Sequence, residues 1–193
     1  WFDRFQLRDT GTDAILIEDD FNPYAEAELA RIFQPQFEWD AWDAEMTRLL
    51  DTWHFNSFLL RTPGLGSGAG WAQHDNTPGS LLGYVAGTPE YQAAFNAWYH
   101  EVQEHLREKG WLEKAFIYWF DEPTPDQYDF VMKYNLLIKE AAPDLQRMLT
   151  EQVEPELIGG PNLWCPISYE YDHEAAESRR AEGERFWWYV CTG

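Results

Sequence analysis

The run Ala115-Phe-Ile-Tyr-Trp-Phe-Asp-Glu-Pro123 constrains the fold of this chain more than any other stretch. It begins apolar and aromatic, the composition of a strand buried on both faces. It ends in two adjacent carboxylates, Asp121 and Glu122, and is stopped by Pro123. A core has no use for two neighbouring acids at the mouth of a buried strand. Pro123 disfavours helical backbone at Glu122, which is expected to stay extended and to carry its carboxyl outward. Thr124, Pro125 and Gln127 then form a capping box with proline at the first helical position. The unit reads as buried strand, acidic tip, helix. In α/β folds the carboxyl ends of strands carry the chemistry, and a pair of acids there points to catalysis.

The rest of the chain repeats this alternation. Residues 1–7 and 14–18 read as short strands around a polar turn, and 24–33 as a short helix. Asp40 is expected to cap an amphipathic helix whose stripe is Trp42, Met46, Leu49, Leu50 and Trp53. A strand at 55–60 follows, then a glycine-rich loop from Arg61 to Gly87. Thr88, Pro89 and Gly110 bound the longest helix, with Tyr91, Ala94, Phe95, Trp98, Val102 and Leu106 inward. After the 115–123 unit comes a helix to about residue 141, with Phe130, Tyr134, Leu137 and Ile138 inward. Strands at 146–151, 162–166 and 186–191 follow, with a polar helix near 173–182 between the last two. Alternating strands and helices imply right-handed βαβ units and a parallel sheet. The fold class is α/β: five or six units of a (β/α)8 barrel, which normally takes about 250 residues. With 193 residues and strand-like sequence at both ends, the chain reads as one partial barrel domain, 1–193, truncated at both ends.

Composition narrows the partners. A formal charge of -20 argues against a nucleic-acid or anionic-membrane partner, since phosphate would be repelled. No run is long and apolar enough for membrane insertion. Aromatic residues make up 17% of the chain, with eleven Trp, more than packing alone calls for; such rings stack on flat apolar faces such as sugars. Cys165 and Cys191 lie in strand-like runs and read as two buried free thiols. No cofactor or metal is implied. Glu18-Asp-Asp20 has the charge to hold a divalent cation, but a loop charge run is the commoner use. His74-Asp75 lacks a third ligand, and Asp172 in Asp172-His-Glu174 is better explained as a helix cap.

Phe116-Ile-Tyr-Trp-Phe-Asp-Glu-Pro123, Met148-Leu-Thr-Glu-Gln152, Leu163-Trp-Cys-Pro166 and Phe186-Trp-Trp-Tyr-Val-Cys-Thr-Gly193 together resemble the catalytic domain of glycoside hydrolase family 123. The resemblance runs in order from about residue 40 to 193. It implies a barrel acting as a β-N-acetylgalactosaminidase on a glycan or glycosphingolipid-type carbohydrate. It also implies Glu122 as general acid and Asp121 as its neighbouring carboxylate. The implied mechanism is substrate-assisted and retaining: the 2-acetamido oxygen attacks C1 and forms an oxazoline.

The spacing suits that chemistry. Ordinary retaining enzymes place two carboxyls about 5–5.5 Å apart astride the bond. Adjacent residues cannot readily straddle a sugar ring, but they can cooperate if the substrate supplies the nucleophile. Glu122 is then expected to stay protonated near neutral pH while Asp121 stays ionised.

Trp119, on Asp121's face by period-2 counting, is expected to floor the site or to be ordinary core. Trp164, Tyr169 and Tyr171 lie at or beyond strand ends, where one tyrosine would reach the acetamido oxygen or both simply stand on the surface. Glu151 is expected to hold a sugar hydroxyl, and Trp71 in the long loop to line the sugar. Trp187 and Trp188 must face opposite ways, with at most one inside the barrel. Two alternatives stand beside this reading. One is an ordinary retaining glycosidase with Glu151 as nucleophile; the other is a carbohydrate-binding barrel without catalysis.

Overall fold

Strands and helices alternate along the chain, and the pairing of the strands sorts their side chains onto two faces. The structure is a computed structural model that describes residues 5–8, 15–19, 33, 35–66 and 76–191. Phe5–Arg8 (β1) and Ile15–Asp19 (β2) pair antiparallel as a separate two-stranded sheet, as the polar turn between them suggests. The helix expected at 24–33 lies almost wholly outside the described residues.

Trp39–Met46 (α1) starts one residue before the expected cap, with Glu38 at its N-cap and no side-chain capping bond. Asp40 instead sits in the first turn, where a negative charge complements the helix dipole. The helix then widens into a π segment, Thr47–Thr52, and the Trp53 amide reaches the Arg48 carbonyl five residues back. The wider turns rotate the stripe. Leu50 stays buried, whereas Trp53, expected inward, is 56% exposed beneath the Arg48 guanidinium.

The strand expected at 55–60 is reduced to Phe58–Leu59 (β3). Within the long loop lies a hairpin, Ser80–Leu81 (β4) and Tyr84–Val85 (β5), turned by Leu82 and Gly83, both at positive φ. Trp71, His74 and Asp75 of that loop lie outside the described residues. Pro89–Glu108 (α2) is capped as expected, the Tyr91 amide donating to Thr88 Oγ1 at 3.3 Å. Tyr99, rather than Trp98, completes its buried stripe, with its ring stacked on Phe95 at 4.0 Å. His105 bonds Asp43 at 2.7 Å and stacks on Trp39, which ties α1 to α2.

Ala115–Ile117 (β6), Tyr128–Ala141 (α3), Gln146–Leu149 (β7), Leu163–Trp164 (β8), His173–Ala181 (α4) and Arg185–Phe186 (β9) complete the chain. Five strands form one parallel sheet in the order β3-β6-β7-β8-β9. The ladders are shorter than their sequence runs, because the chain peels away at each carboxyl end toward Pro123, Thr150 and Pro166. The 186–191 run keeps only a further bridge from Tyr189 to Ile167.

Parallel strands taken in sequence order, with crossovers of one hand, carry their helices on one face. That face holds Ile117, packed with Tyr91, Phe95 and Ile138, and Leu149 and Trp164, packed with Tyr128 and Val131. Buried Arg147 lies on it too, donating to the carbonyls of Gly160, Leu145 and Pro143, with burial lowering its pKa to about 10. Among the described residues the opposite face is built from strand and strand-end residues: Phe116, Tyr118, Met148, Leu163, Cys165, Trp187 and Tyr189. Trp187 joins it edge-on to Phe116, while Trp188 points away and is exposed, as the alternation requires. Both cysteines are free, but only Cys165 is buried. Cys191 is exposed, beyond the last ladder residue.

The long loop is held where two of its glycines cross. A Cβ on Gly79 would lie 1.8 Å from the Gly64 carbonyl oxygen. Gly64 in turn accepts the Tyr91 hydroxyl at 2.9 Å, and the Gly79 amide donates to Tyr134. Gly79→Ala is therefore expected to cost about 1–3 kcal/mol or more through overpacking, read as a lower urea midpoint. An unchanged midpoint would mean that the two backbones do not meet so closely.

Candidate active site

The ladder of β6 stops at Ile117, and the next five residues build the acidic tip. Tyr118 keeps to the face of Phe116, and Phe120 is buried beneath α3 with Tyr128 and Val131. Asp121 turns back over Tyr118. Its Oδ1 accepts the Tyr118 hydroxyl and, at 2.9 Å, that of Thr150 at the end of β7. Burial first, and then the bond to Asp121, push the Tyr118 phenol well above its usual range, so it stays a donor.

Glu122 is not extended as expected. Its φ is +42°, in the left-handed region. Two local contacts override the preference that Pro123 imposes. The Glu122 amide donates to Thr150 Oγ1 at 2.9 Å, and the chain must turn at once into the box where Gln127 accepts the Thr124 amide at 2.9 Å. Such a backbone costs of order 1–3 kcal/mol and tends to occur at functional sites. The carboxyl itself does point outward. It is exposed and accepts the Tyr189 hydroxyl, and that phenol is likewise held high, by burial and then by Glu122.

Glu122 opens onto a cleft of about 690 Å³ above the carboxyl ends of β6, β7 and β8. Glu151, Glu154, Glu156, Glu170, Asp126 and Asp129 line it with Tyr128, Tyr169, Thr150, Gln152 and Tyr189. Among the described residues no lysine or arginine lines it. Burial raises the Glu151 pKa to about 7; the Gln152 amide, the next largest influence, opposes it, and the charges of Glu154, Glu170 and Glu122 add to the rise. Burial also raises the Tyr128 phenol to about 12. Among the described residues no three His, Cys, Asp or Glu side chains are placed to hold a metal ion.

The cleft brings together Glu122, Glu151 and Tyr169, three of the residues singled out from the sequence. Asp121 stands next to it, half-buried, facing Tyr118 and Thr150. Trp119 lies elsewhere, packed against Phe120, Phe130 and Tyr134 on the helix-covered side. Period-2 counting fails there because the strand ends at Ile117, and Tyr118 takes the place that counting gave to Trp119. Trp164 is fully buried, its indole N–H bonded to Glu184 at 2.6 Å. Tyr171 turns to the far side of β9, bonded to Arg180 at 2.7 Å and edge-on to Phe186. Asp172 caps α4 by accepting the Glu174 and Ala175 amides.

Sequence reasoning passed over Thr150, Tyr118 and Tyr189. Alternation from Trp187 places Tyr189 on the acids' face, and Thr150 directly precedes Glu151, so both carried a readable signal.

A parallel α/β domain that gathers acids and hydroxyls at its strand carboxyl ends has its candidate site where α/β enzymes place theirs. Its sequence specifies the family: residues 71–193 match the glycoside hydrolase 123 catalytic domain, and the chain belongs to that family. Among solved structures it is similar to a family 123 glycoside hydrolase from Clostridium perfringens, described for glycolipid glycan hydrolysis. The identity is 16% and the TM-score 0.40, over 59% of this chain and 21% of that one. The chain thus spans about a fifth of that protein's length. No curated protein matches it.

Because Glu151 binds its proton more tightly folded than unfolded, its stabilising contribution is full below about 4.5. It is lost as pH rises through about 7. Glu151→Gln is therefore expected to raise the melting temperature more at pH 8 than at pH 5. An equal shift at both values would put the carboxyl in water.

Proposed function

We propose that this domain is part of a glycosidase that cleaves terminal N-acetyl-β-hexosaminides, of the galactosaminide type, from a glycan such as that of a glycolipid. The reading rests on one observation above all. Two adjacent carboxylates at the end of β6 are held in different ways, Asp121 by two hydroxyls on Oδ1 and Glu122 by the Tyr189 hydroxyl as it faces the cleft. In the proposed reaction the 2-acetamido oxygen attacks C1 while Asp121 accepts the amide N–H and balances the charge of the forming oxazolinium ring. Glu122 gives its proton to the leaving oxygen, and as a base then activates the water that opens the oxazoline. Tyr189 orients the Glu122 carboxyl, and Tyr169 offers a ring to the sugar.

We also propose that the sheet is part of a (β/α)8 barrel. Monotonic strand order, and helices on one side among the described residues, support this, since a parallel sheet is normally covered on both faces. Here the second face carries half-exposed Leu59 beside Phe116, the surface that closure would enclose.

Glu151 shares the cleft with Glu122, which gives the two-carboxylate alternative a foothold. Its pKa of about 7 argues the other way, because a nucleophile must be ionised and burial favours its protonated form. As a proton-bearing group it suits the binding of a sugar hydroxyl.

Leaving groups provide the test. Glu122→Gln is expected to lose most activity on natural glycans and much less on a nitrophenyl glycoside, which departs without protonation. Asp121→Asn is expected to slow both substrates by about 10²-fold or more, the scale of lost electrostatic stabilisation. Glycosides with a 2-hydroxyl in place of the acetamido group are expected to be inert. Good cleavage of those glycosides, together with azide rescue of Glu151→Ala, would place the nucleophile on the protein.

A further inference from the structure

We propose that Thr150 is the positioning residue that fixes the two carboxylates relative to each other, an inference that rests on the glycosidase reading above. Its hydroxyl is used in both directions. Oγ1 donates to Asp121 Oδ1 at 2.9 Å and accepts the Glu122 amide at 2.9 Å. The directions are forced, because a backbone N–H only donates and a carboxylate only accepts. A hydroxyl has one proton and two lone pairs, so both bonds form at once and the Tyr118 hydroxyl still approaches to 3.3 Å.

The side chain of one acid and the main chain of the other are thus pinned to a single atom on the neighbouring strand. Three features make that atom a rigid reference. Thr150 follows directly on β7, whose four residues are all buried. Its β-branched side chain has restricted χ1 freedom. Its bond to the Glu122 amide also holds that residue at φ +42°, a conformation that glutamate does not favour alone.

The pairing has a chemical purpose. Asp121 must meet the acetamido N–H while Glu122 meets the leaving oxygen on the same sugar, so the offset between the two groups has to match the substrate. Because both bonds to Asp121 fall on Oδ1, Oδ2 keeps its lone pairs for that contact. A misplacement of about 1 Å in such a pair costs on the order of 10²-fold in rate.

Thr150→Val keeps the branched shape and removes the hydroxyl, whereas Thr150→Ser keeps the hydroxyl. In the full chain that bears this sequence, assayed on an aryl N-acetyl-β-galactosaminide, the valine variant is expected to lose about 10²-fold in kcat. Its KM is expected to change less than about threefold, and the serine variant to recover most of the loss. Amide hydrogen exchange at Glu122 is expected to quicken in the valine variant and not in the serine variant, whether or not substrate is turned over. Wild-type kcat in the valine variant, a serine variant equally impaired, or unchanged exchange at Glu122 would each overturn the positioning role. An inert wild-type chain would overturn the glycosidase reading instead, and exchange at Glu122 would then decide for or against the Thr150 clamp alone.

Discussion

Everything at the site depends on the parallel strands being laid down in sequence order. One direction of travel puts the helices on one face and all the strand carboxyl ends on one rim. Carboxylates belong at that rim, where water and hydroxyls meet them, because an unpaired charge among the buried residues of β7 or β8 would be very costly. Strand spacing then sets which groups meet. Thr150 and Asp121 stand at the ends of adjacent strands and bond directly. Glu122 and Tyr189 lie just beyond β6 and β9, three spacings apart in the sheet, roughly 14 Å between backbones at about 4.8 Å each. Only two long side chains reaching toward each other can close that gap, and here a tyrosine and a glutamate do so. The same contact binds the last strand to the acidic tip.

What the sequence made legible was whatever local chemistry decides. The Thr88-Pro89 start of α2, the Asp172 cap of α4 and the Gln127 bond to Thr124 depend on residues within a turn of one another, and all are found. The acidic pair was legible because two charges beside a buried strand conflict with any core use. The less legible features are those where distant contacts win. The left-handed Glu122 backbone answers to a hydroxyl 28 residues away. The π turn that exposes Trp53 leaves no period of its own in an apolar stripe. Trp119 was open to two readings and Trp164 was placed at the sugar, because a large ring at a strand end serves a core or a sugar equally well. Only packing against Phe130 and Tyr134, or a bond to Glu184, separates the two uses.

The crowding of acids around Glu122 has a further physical consequence. Each additional carboxylate raises the cost of ionising the next, and the cost concentrates on the group with least access to water. In this cleft that group is Glu151, where burial is the first cause of the shift, the Gln152 amide opposes it, and the acidic neighbours add to it. A ligand that displaces water from the cleft would strengthen both effects, since the charges interact more strongly as the local dielectric falls. Under the proposed function Glu151 would then meet a sugar more readily as a neutral hydrogen-bond donor than as another anion. Of the two adjacent acids Asp121 is the more firmly fixed, since its Oδ1 already takes two hydroxyl protons and needs no water to hold it in place. In the proposed reaction a positive ring forming at C1 would therefore face a fixed Asp121 beside Glu122 as the proton donor. That asymmetry is what two adjacent acids need if they are to perform different tasks.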